Sequence, residues 1–202
     1  GRDNLTRAEM ALDGKGKFLA MRVNLDANMG AFLSQYGPYI PWIGSTMLTG
    51  VYDIPAGYTR IRGIYSHTVP FDAYRGAGRP EAAYTIERLV DFIADEIGMD
   101  RLKLRKLNFI KPKKMPYKTP TARVYDTGDF AAHMARALHR ASARAGPRPA
   151  SCPPATNSAA TSRGSASSPS VSCRRPMPPS AVPRRPCASV WWHWPTKPAP
   201  RG

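Results

Sequence analysis

The stretch AYRGAGRP, residues 73–80, combines flexible backbone with positive charge immediately before a helix-patterned segment. Gly76 and Gly78 allow backbone conformations that a Cβ atom forbids. The first N–H groups of the following helix have no partners within it, and they carry the positive end of the helix dipole. Such a bend can bind an anion or an oxygen-rich cofactor, to which Arg75 and Arg79 add charge. From the spacing alone, the favoured interpretation is a tight strand-to-helix turn whose arginines are solvated.

The other residues able to do chemistry are scattered along the chain. The dinucleotide-binding fingerprint fails because Glu81 stands where its third glycine would be. Ser34 and Ser66 lack a recognisable base, so no nucleophilic triad is indicated. The histidines and cysteines have neither metal-ligand spacing nor the pattern of a disulfide framework. They are His67, His133, His139, His193, Cys152, Cys173 and Cys187.

Period-two patterns predict the strands that must hold the loop. Apolar residues alternate with polar ones in residues 8–12 and again in 19–27, on either side of the glycine-containing stretch at 14–17. This pattern is typical of a β-hairpin. The segment 58–69 also alternates, and it predicts a strand that leads into the loop.

Helical spacing follows the loop. Apolar residues recur every three or four positions from Pro80 to Ile97, with proline at the first helical position and Gly98 after the last. Asp100 is placed to cap a second helix over 101–110, and Asp129 to cap a third. The apolar positions of the first helix are Ala83, Ile86, Leu89, Val90, Ile93 and Ile97. Mixed strands and helices in irregular order predict the α+β class.

The apolar, glycine-bearing segment 30–56 has no single periodicity. Such a stretch packs against a core or lines a pocket, and we favour packing against a core. Pro38, Pro41 and Pro55 limit helix formation, although residues 42–52 could form a short buried helix.

The composition changes after Asp129. The formal charge of the 202-residue chain is +16, yet all 14 acidic residues lie at or before Asp129, where 19 basic residues leave a net charge of +5. The remaining residues carry +11 and 13 of the 21 prolines. We therefore predict a disordered Pro/Arg/Ser-rich tail at 139–202, because so little apolar surface cannot offset chain entropy. No apolar run is long enough to span a membrane, and no export signal is visible.

Several motifs in order carry a family resemblance from Gly1 to about Leu138. AEMALDGKGKFLAMRVNLDANMGAFLSQYGPYIP, MLTGVYDIPA, TVPFDAYRGAGRPEAAYTIERLVDFIADEIGMD and PYKTPTARVYDTGDF are the main ones. They resemble the large molybdopterin-binding subunit of the xanthine dehydrogenase, aldehyde oxidase and carbon monoxide dehydrogenase family. Residues 1–138 are accordingly expected to form part of a molybdopterin-binding domain.

The resemblance implies an oxidoreductase that hydroxylates aldehydes or N-heterocycles, or oxidises CO, with oxygen from water. It implies a molybdenum–molybdopterin cytosine dinucleotide cofactor, with [2Fe–2S] centres and FAD on small and medium partner subunits in the cytoplasm. The implied cofactor-binding residues are Arg75, Gly76, Ala77, Gly78 and Arg79, with the main chain of Arg75 close to the metal. The resemblance thus favours the anion-binding interpretation of the loop, and it implies no nucleic-acid or membrane partner.

Departures from the family pattern narrow these expectations. Gly76 replaces the cysteine whose sulfur bridges to copper in the CO-oxidising branch, so CO is a poor expected substrate. Ala77 and Ile43 replace an aromatic residue and an arginine that hold purines in another branch, so purine is disfavoured. The loop matches the form II, CO-dehydrogenase-like group. The family's upstream glycine-rich motif and its catalytic glutamate are missing, so we assign no catalytic residue and expect no turnover by this chain alone.

The family pattern stops inside the third predicted helix. We interpret residues 139–202 as a frameshift product, with the switch between Leu138 and Ser151, because back-translation in another frame can restore a charged helix end and a GIGI strand. An intact open frame in the source DNA, together with peptides of the tail, would overturn this interpretation. The alternative is a non-enzymatic basic protein whose tail binds nucleic acid or acidic partners.

Overall fold

The computed structural model describes residues 3–145 and 187–193. Its main sheet begins with an antiparallel hairpin of β1 (Asn4–Leu12) and β2 (Phe18–Gly30). The pairing runs from Asn4 opposite Ala27 to Leu12 opposite Phe18. Asp13 closes the turn, since its carboxylate accepts the N–H groups of Lys15 and Lys17, each at 2.8 Å. The predicted hairpin around residues 14–17 is confirmed.

The strand that leads toward the loop is β3 (Ala56–Tyr65), which ends four residues earlier than the pattern predicted. It pairs in parallel with β2, from Ala56 opposite Ala20 to Tyr65 opposite Gly30. A parallel neighbour requires a crossover. Here the crossover contains α1 (Tyr39–Ser45), so the apolar segment 30–56 forms the connection between two adjacent parallel strands.

Helix α1 begins earlier than the prolines suggested. Pro38 is its N-cap and Pro41 lies in its first turn, where the backbone N–H groups need no intrahelical partner. Buried and exposed residues coexist in this segment: Ile40, Pro41 and Leu48 are buried, whereas Phe32 and Trp42 are more than half exposed. Core packing therefore accounts for only part of the segment.

The first and second predicted helices are confirmed as α2 (Arg79–Glu96) and α3 (Arg101–Asn108). Pro80 lies at the start of α2, and the Asp100 carboxylate caps α3 by accepting the Lys103 N–H at 2.8 Å. The buried stripe of α2 is shifted from the prediction. Ala82 and Thr85 are buried while Ala83 and Ile97 are exposed, because Ile97 lies at the C-cap and Ala83 faces away from the sheet.

The third predicted helix is α4 (Phe130–Ala145), with Asp129 accepting the Ala132 N–H at 2.9 Å. Phe130 and Met134 pack against the core, and Phe130 meets the rings of Phe109 and Tyr125. The helix thus seals the end of the domain with its first turns.

The core lies between α2 and one face of the main sheet. Its side chains come from β1, β2, α2, α3 and the segments that follow α1 and α3, which places the hairpin and α2 in one hydrophobic unit. The largest fully buried members are Phe18, Tyr52, Met10, Leu12, Ile54, Ile86, Leu89, Ile93 and Leu104. Tyr52 stacks on Phe109 with ring centroids 5.6 Å apart.

Buried polar groups fix the connections around this core. The Asn108 side chain accepts the Phe18 N–H at 2.8 Å and donates to the Gly16 carbonyl at 2.9 Å, so α3 is fastened to the hairpin turn. Asp53 receives the ammonium groups of Lys17 at 3.3 Å and Lys114 at 2.7 Å. Lys17 and Lys114 hold the pKa of Asp53 below its usual value, although burial, the largest single effect, opposes them.

The remaining described elements are a 3₁₀ turn (Pro112–Lys114), the two-stranded ribbon of β4 (Tyr117–Lys118) and β5 (Val124–Tyr125), and β6 (Cys187–His193). Strand β6 pairs antiparallel with β1, which gives the sheet the order β3-β2-β1-β6. The α+β class is confirmed. Across residues 3–145 and 187–193, no helical segment combines the length and the hydropathy of a membrane span.

The boundary after residue 138 and the disordered tail at 139–202 stay predictions. Helix α4 continues past Leu138, and β6 lies within the segment assigned to the tail. Cys152 and Cys173, together with the rest of 146–186 and 194–202, lie outside the described residues.

Candidate cofactor-binding loop

The loop from Tyr74 to Arg79 forms two successive turns between residues 66–73, which follow β3, and the start of α2. The Ala77 N–H donates to the Tyr74 carbonyl at 2.9 Å, and the Arg79 N–H donates to the Gly76 carbonyl at 3.0 Å. Gly76, Ala77 and Gly78 have φ values of 103°, 41° and 88°. Three consecutive positive φ values are rare, and for Ala77 this conformation is costly by about 1 kcal/mol. Backbone strain of this kind is concentrated at functional sites.

These turns leave backbone donors without partners. Among the described residues, no hydrogen bond is made by the N–H groups of Gly76 and Gly78. Gly78 is buried, and buried backbone N–H groups in native proteins nearly always have a partner. The first bond of α2 is donated by Ala82 to the Gly78 carbonyl, while Pro80 has no N–H to offer. The loop therefore presents unsatisfied donors at the positive end of a helix.

The two predicted arginines play different parts. Both are exposed, and the Arg79 guanidinium turns back on its own loop, where Nη1 donates to the Gly76 carbonyl at 3.2 Å. Within residues 3–145, no ion pair involves Arg75 or Arg79. The loop thus keeps uncompensated positive charge next to its free N–H groups, which suits an anionic group.

Gly78 also forms the closest backbone approach in the region. A Cβ atom on Gly78 would overlap the carbonyl oxygen of Ile40 and lie 3.0 Å from the Cα of Gly44. A Cβ atom on Gly44 would lie 2.7 Å from the Gly78 carbonyl oxygen. Neither residue can carry a side chain without displacing backbone, so α1 and the start of α2 are in direct main-chain contact.

Asp72 and Ser34 support the loop, and the sequence reasoning missed this role. The Asp72 carboxylate accepts the N–H groups of Ala73 at 2.6 Å and Tyr36 at 3.1 Å. The Ser34 hydroxyl donates to the Phe71 carbonyl and accepts the Gly37 N–H at 3.1 Å. The only sequence signal was an Asp three residues before Arg75, which is typical of a turn.

Two other candidate positions from the sequence lie on this scaffold. Ala77 is half-buried within the loop, and Ile43 is half-buried on α1. Ser66 is structural, since its hydroxyl donates to the Asn28 side chain at 2.7 Å. His67, His133 and His139 are exposed, and among the described residues no three His, Cys, Asp or Glu side chains are grouped to hold a metal.

A polar depression on the open face of the sheet does not compete with the loop as a site. It is lined by Arg7, Glu9, Arg22, Asn24 and Tyr58. The Glu9 carboxylate is already paired, with Arg7 at 2.9 Å and with Arg22. Its charge is therefore satisfied within the protein, in contrast to the donors of the loop.

An exposed aromatic ladder flanks the scaffold. It consists of Tyr36, Tyr39 and Trp42, whose ring centroids are 6.5 and 6.0 Å apart in succession. The three side chains are 50–60% exposed, and the adjacent Phe32 and Leu33 are equally open. An apolar surface of this kind commonly contacts another part of a protein or a partner.

The sequence of residues 1–109 matches the family model of the molybdopterin cofactor-binding domain. The chain is 38% identical over 132 residues to the carbon monoxide dehydrogenase large chain of Hydrogenophaga pseudoflava, covering 64% of this chain and 16% of that protein. It is 30% identical over 146 residues to the 6-hydroxypseudooxynicotine dehydrogenase complex subunit gamma of Paenarthrobacter nicotinovorans, covering 69% and 18%.

The fold is also similar to a solved structure, that of reconstituted CO dehydrogenase from Oligotropha carboxidovorans. The TM-score is 0.65 at 33% sequence identity, covering 72% of this chain and 18% of that one. The chain therefore spans less than a fifth of the length of each of these proteins.

Proposed function

The chain belongs to the molybdopterin cofactor-binding family of xanthine dehydrogenase and carbon monoxide dehydrogenase large subunits, and from this we propose that residues 75–79 bind the molybdenum–pterin cofactor. The proposed ligand atoms are main-chain donors of Gly76 and Gly78. Arg75 adds positive charge, and Ala77 supplies the left-handed backbone conformation between the two donors. Arg79 stabilises the turn by donating to the Gly76 carbonyl. The cofactor is proposed to be the cytosine dinucleotide form.

The single observation that carries this proposal is the unpaired N–H of the buried Gly78. An unpaired buried donor is costly, by about 1–3 kcal/mol, unless a ligand completes it. The donor lies beside a second free N–H at Gly76 and at the N-terminus of an eighteen-residue helix. Oxygen atoms of an anionic cofactor satisfy these donors and gain from the helix dipole at the same time.

When bound, the cofactor supplies the oxidation of substrate with oxygen derived from water. This chain's own residues bind and orient it: the two turns hold the donors in place before binding, so little loop entropy is lost when the ligand arrives. We propose that the electrons pass to [2Fe–2S] centres and then to FAD on separate small and medium subunits.

The proposed substrate is an aldehyde or an N-heterocycle. Gly76 offers no sulfur for a copper bridge, which argues against CO even though carbon monoxide dehydrogenase is among the relatives. Ala77 presents only a methyl group and Ile43 no charge, which argues against purines. The relative named for 6-hydroxypseudooxynicotine is consistent with a heterocyclic substrate for this chain.

We further propose that this chain does not turn over substrate alone. It spans less than a fifth of the length of the carbon monoxide dehydrogenase large chain and of the 6-hydroxypseudooxynicotine dehydrogenase subunit named above. The aromatic ladder of Tyr36, Tyr39 and Trp42 is proposed to contact other parts of the large subunit.

The test is the composition and activity of the assembled subunit complex purified from molybdate-supplied source cells. We expect one molybdenum and one pterin per large subunit, cytosine nucleotide after hydrolysis, and dye reduction with benzaldehyde or quinoline rather than with CO. Gly78→Ala should lower the molybdenum and pterin content severalfold, and Gly14→Ala should not, since a Cβ atom at Gly14 meets no atom within 4 Å. A wild-type complex without molybdenum would refute the proposed cofactor.

A further inference from the structure

Three glycines at seven-residue intervals contact the backbone that leads into the loop. Gly30, Gly37 and Gly44, here called the glycine seam, lie at the end of β2, before α1 and within α1. They face the segment 69–78. A Cβ atom on any of the three would lie less than 3.0 Å from an atom of this segment or, at Gly37, from the Ser34 hydroxyl that is hydrogen-bonded to it.

The first two contacts fix the approach to the loop. A Cβ atom on Gly30 would overlap the backbone of Pro70, and one on Gly37 would lie 2.7 Å from the Ser34 hydroxyl and 3.2 Å from the Phe71 carbonyl. The hydrogen bond from Ser34 to Phe71 spans the same seam, as does the bond from the Tyr36 N–H to Asp72. The segment that leads into the loop is therefore held in place by close main-chain contacts and by hydrogen bonds from small or polar residues.

The third contact acts on the donors themselves. Gly44 meets the Gly78 carbonyl, and that carbonyl accepts the first hydrogen bond of α2. Moving the Gly78 peptide would move both the unpaired N–H and the start of the helix. A rigid contact at this point sets the distance between the donors and anything bound in front of them.

We infer that Gly44 and Gly37 are positioning residues. They hold the 75–79 loop in the place that its ligand requires, without touching the ligand. The inference deepens the proposed function and rests on it for the identity of the ligand. The positioning role itself does not depend on which ligand binds: a Cβ atom added at Gly37 or Gly44 would displace the loop. Neither Gly37 nor Gly44 has a positive φ, so alanine is tolerated there by the backbone and only the contact is tested.

The experiment compares Gly44→Ala, Gly37→Ala and the control Gly14→Ala in the 202-residue chain, prepared from cells that supply the molybdenum cofactor. Amide hydrogen exchange is measured by mass spectrometry over residues 74–82 and over β2. Molybdenum and the fluorescent oxidised pterin are measured on the same samples. We expect exchange over 74–82 to quicken by about fivefold or more in both seam variants, as overpacking a tight contact implies, with β2 unchanged and a matching loss of pterin.

The outcomes separate the two proposals. Unchanged exchange over 74–82 in the seam variants overturns the positioning role, whatever the cofactor content. Loss of folded protein in both seam variants, with Gly14→Ala intact, also overturns it, since the glycines would then support the whole fold. In a third outcome, exchange quickens only in the loop of the seam variants while the wild-type chain retains no pterin. That result supports the positioning role and counts against the proposed function of this chain.

Discussion

Arg105 of α3 contacts Glu87 of α2 with two donors: Nε lies 2.9 Å and Nη2 2.7 Å from the same carboxylate oxygen. The Arg105 Nη1 atom also donates to Asp91 at 2.8 Å, and the Tyr52 hydroxyl donates to Glu87 at 2.9 Å. The Arg105 side chain, only 15% exposed, thereby joins α3 to two turns of α2.

The first prediction follows from this contact. Arg105→Ala should lower the free energy of unfolding by about 2–3 kcal/mol, because charged hydrogen bonds are lost and two carboxylates are left near each other. Urea unfolding of the 202-residue chain measures the change. Arg101→Ala is the matched control: its exposed pair with Asp95 should contribute no more than about 1 kcal/mol. Equal losses in the two variants would contradict the assignment.

The second prediction concerns Gly78. Gly78→Ala introduces a Cβ atom at φ 88° and against the Ile40 carbonyl. Left-handed strain and overpacking together should cost at least about 2 kcal/mol of unfolding free energy. Gly14→Ala should change it by no more than about 0.5 kcal/mol. A stable Gly78→Ala protein with an unchanged urea midpoint would show that α1 and α2 are not held in backbone contact.

Local patterns predicted the elements, and contacts distant in sequence decided the rest. The hairpin around 14–17 and the caps at Asp100 and Asp129 depend on residues a few positions apart, so the sequence indicated them directly. The parallel pairing of β3 with β2 depends on a crossover whose path no local pattern reveals. Helix α1 was missed at its start because proline is disfavoured within helices yet acceptable in a first turn.

The bend that holds the candidate site was predicted from the sequence, and its support was predicted only in part. Gly76 and Gly78 indicated a bend before a helix, and the φ values of 103° and 88° bear this out. The dependence of Gly78 on Gly44 could not be read from either residue alone, since a close approach is a property of the folded pair. The seven-residue spacing of Gly30, Gly37 and Gly44 was the available signal.

The third prediction is a pH dependence from Asp53. Lys114 and Lys17 depress its folded pKa, so its contribution to stability is present above the unfolded pKa near 3.8 and is lost as pH falls through the folded pKa. Between about pH 5 and pH 3, the wild-type urea midpoint should therefore fall more than that of Asp53→Asn. Parallel curves for the two proteins would mean that Asp53 gains nothing from its two lysines.

The fourth prediction concerns the aromatic ladder. If Tyr39 and Trp42 are an exposed apolar surface, the 202-residue chain should bind the dye ANS in its folded state. Replacing both by serine should lower the bound fluorescence by about half or more, because the contiguous apolar patch is broken. Val124→Ser, at an exposed position with 63% exposure, is the control and should have little effect. No difference between the ladder variant and the control would contradict this surface.

The most direct test of the cofactor proposal is amide hydrogen exchange of the assembled complex with and without its cofactor. Complex from molybdate-supplied cells is compared with complex from cells unable to make the pterin. Protection on cofactor binding is expected at the amides of Gly76 and Gly78, with little change in the turn at 13–17. Full cofactor occupancy with the exchange of residues 75–79 unaltered would contradict the proposal that this loop binds the cofactor.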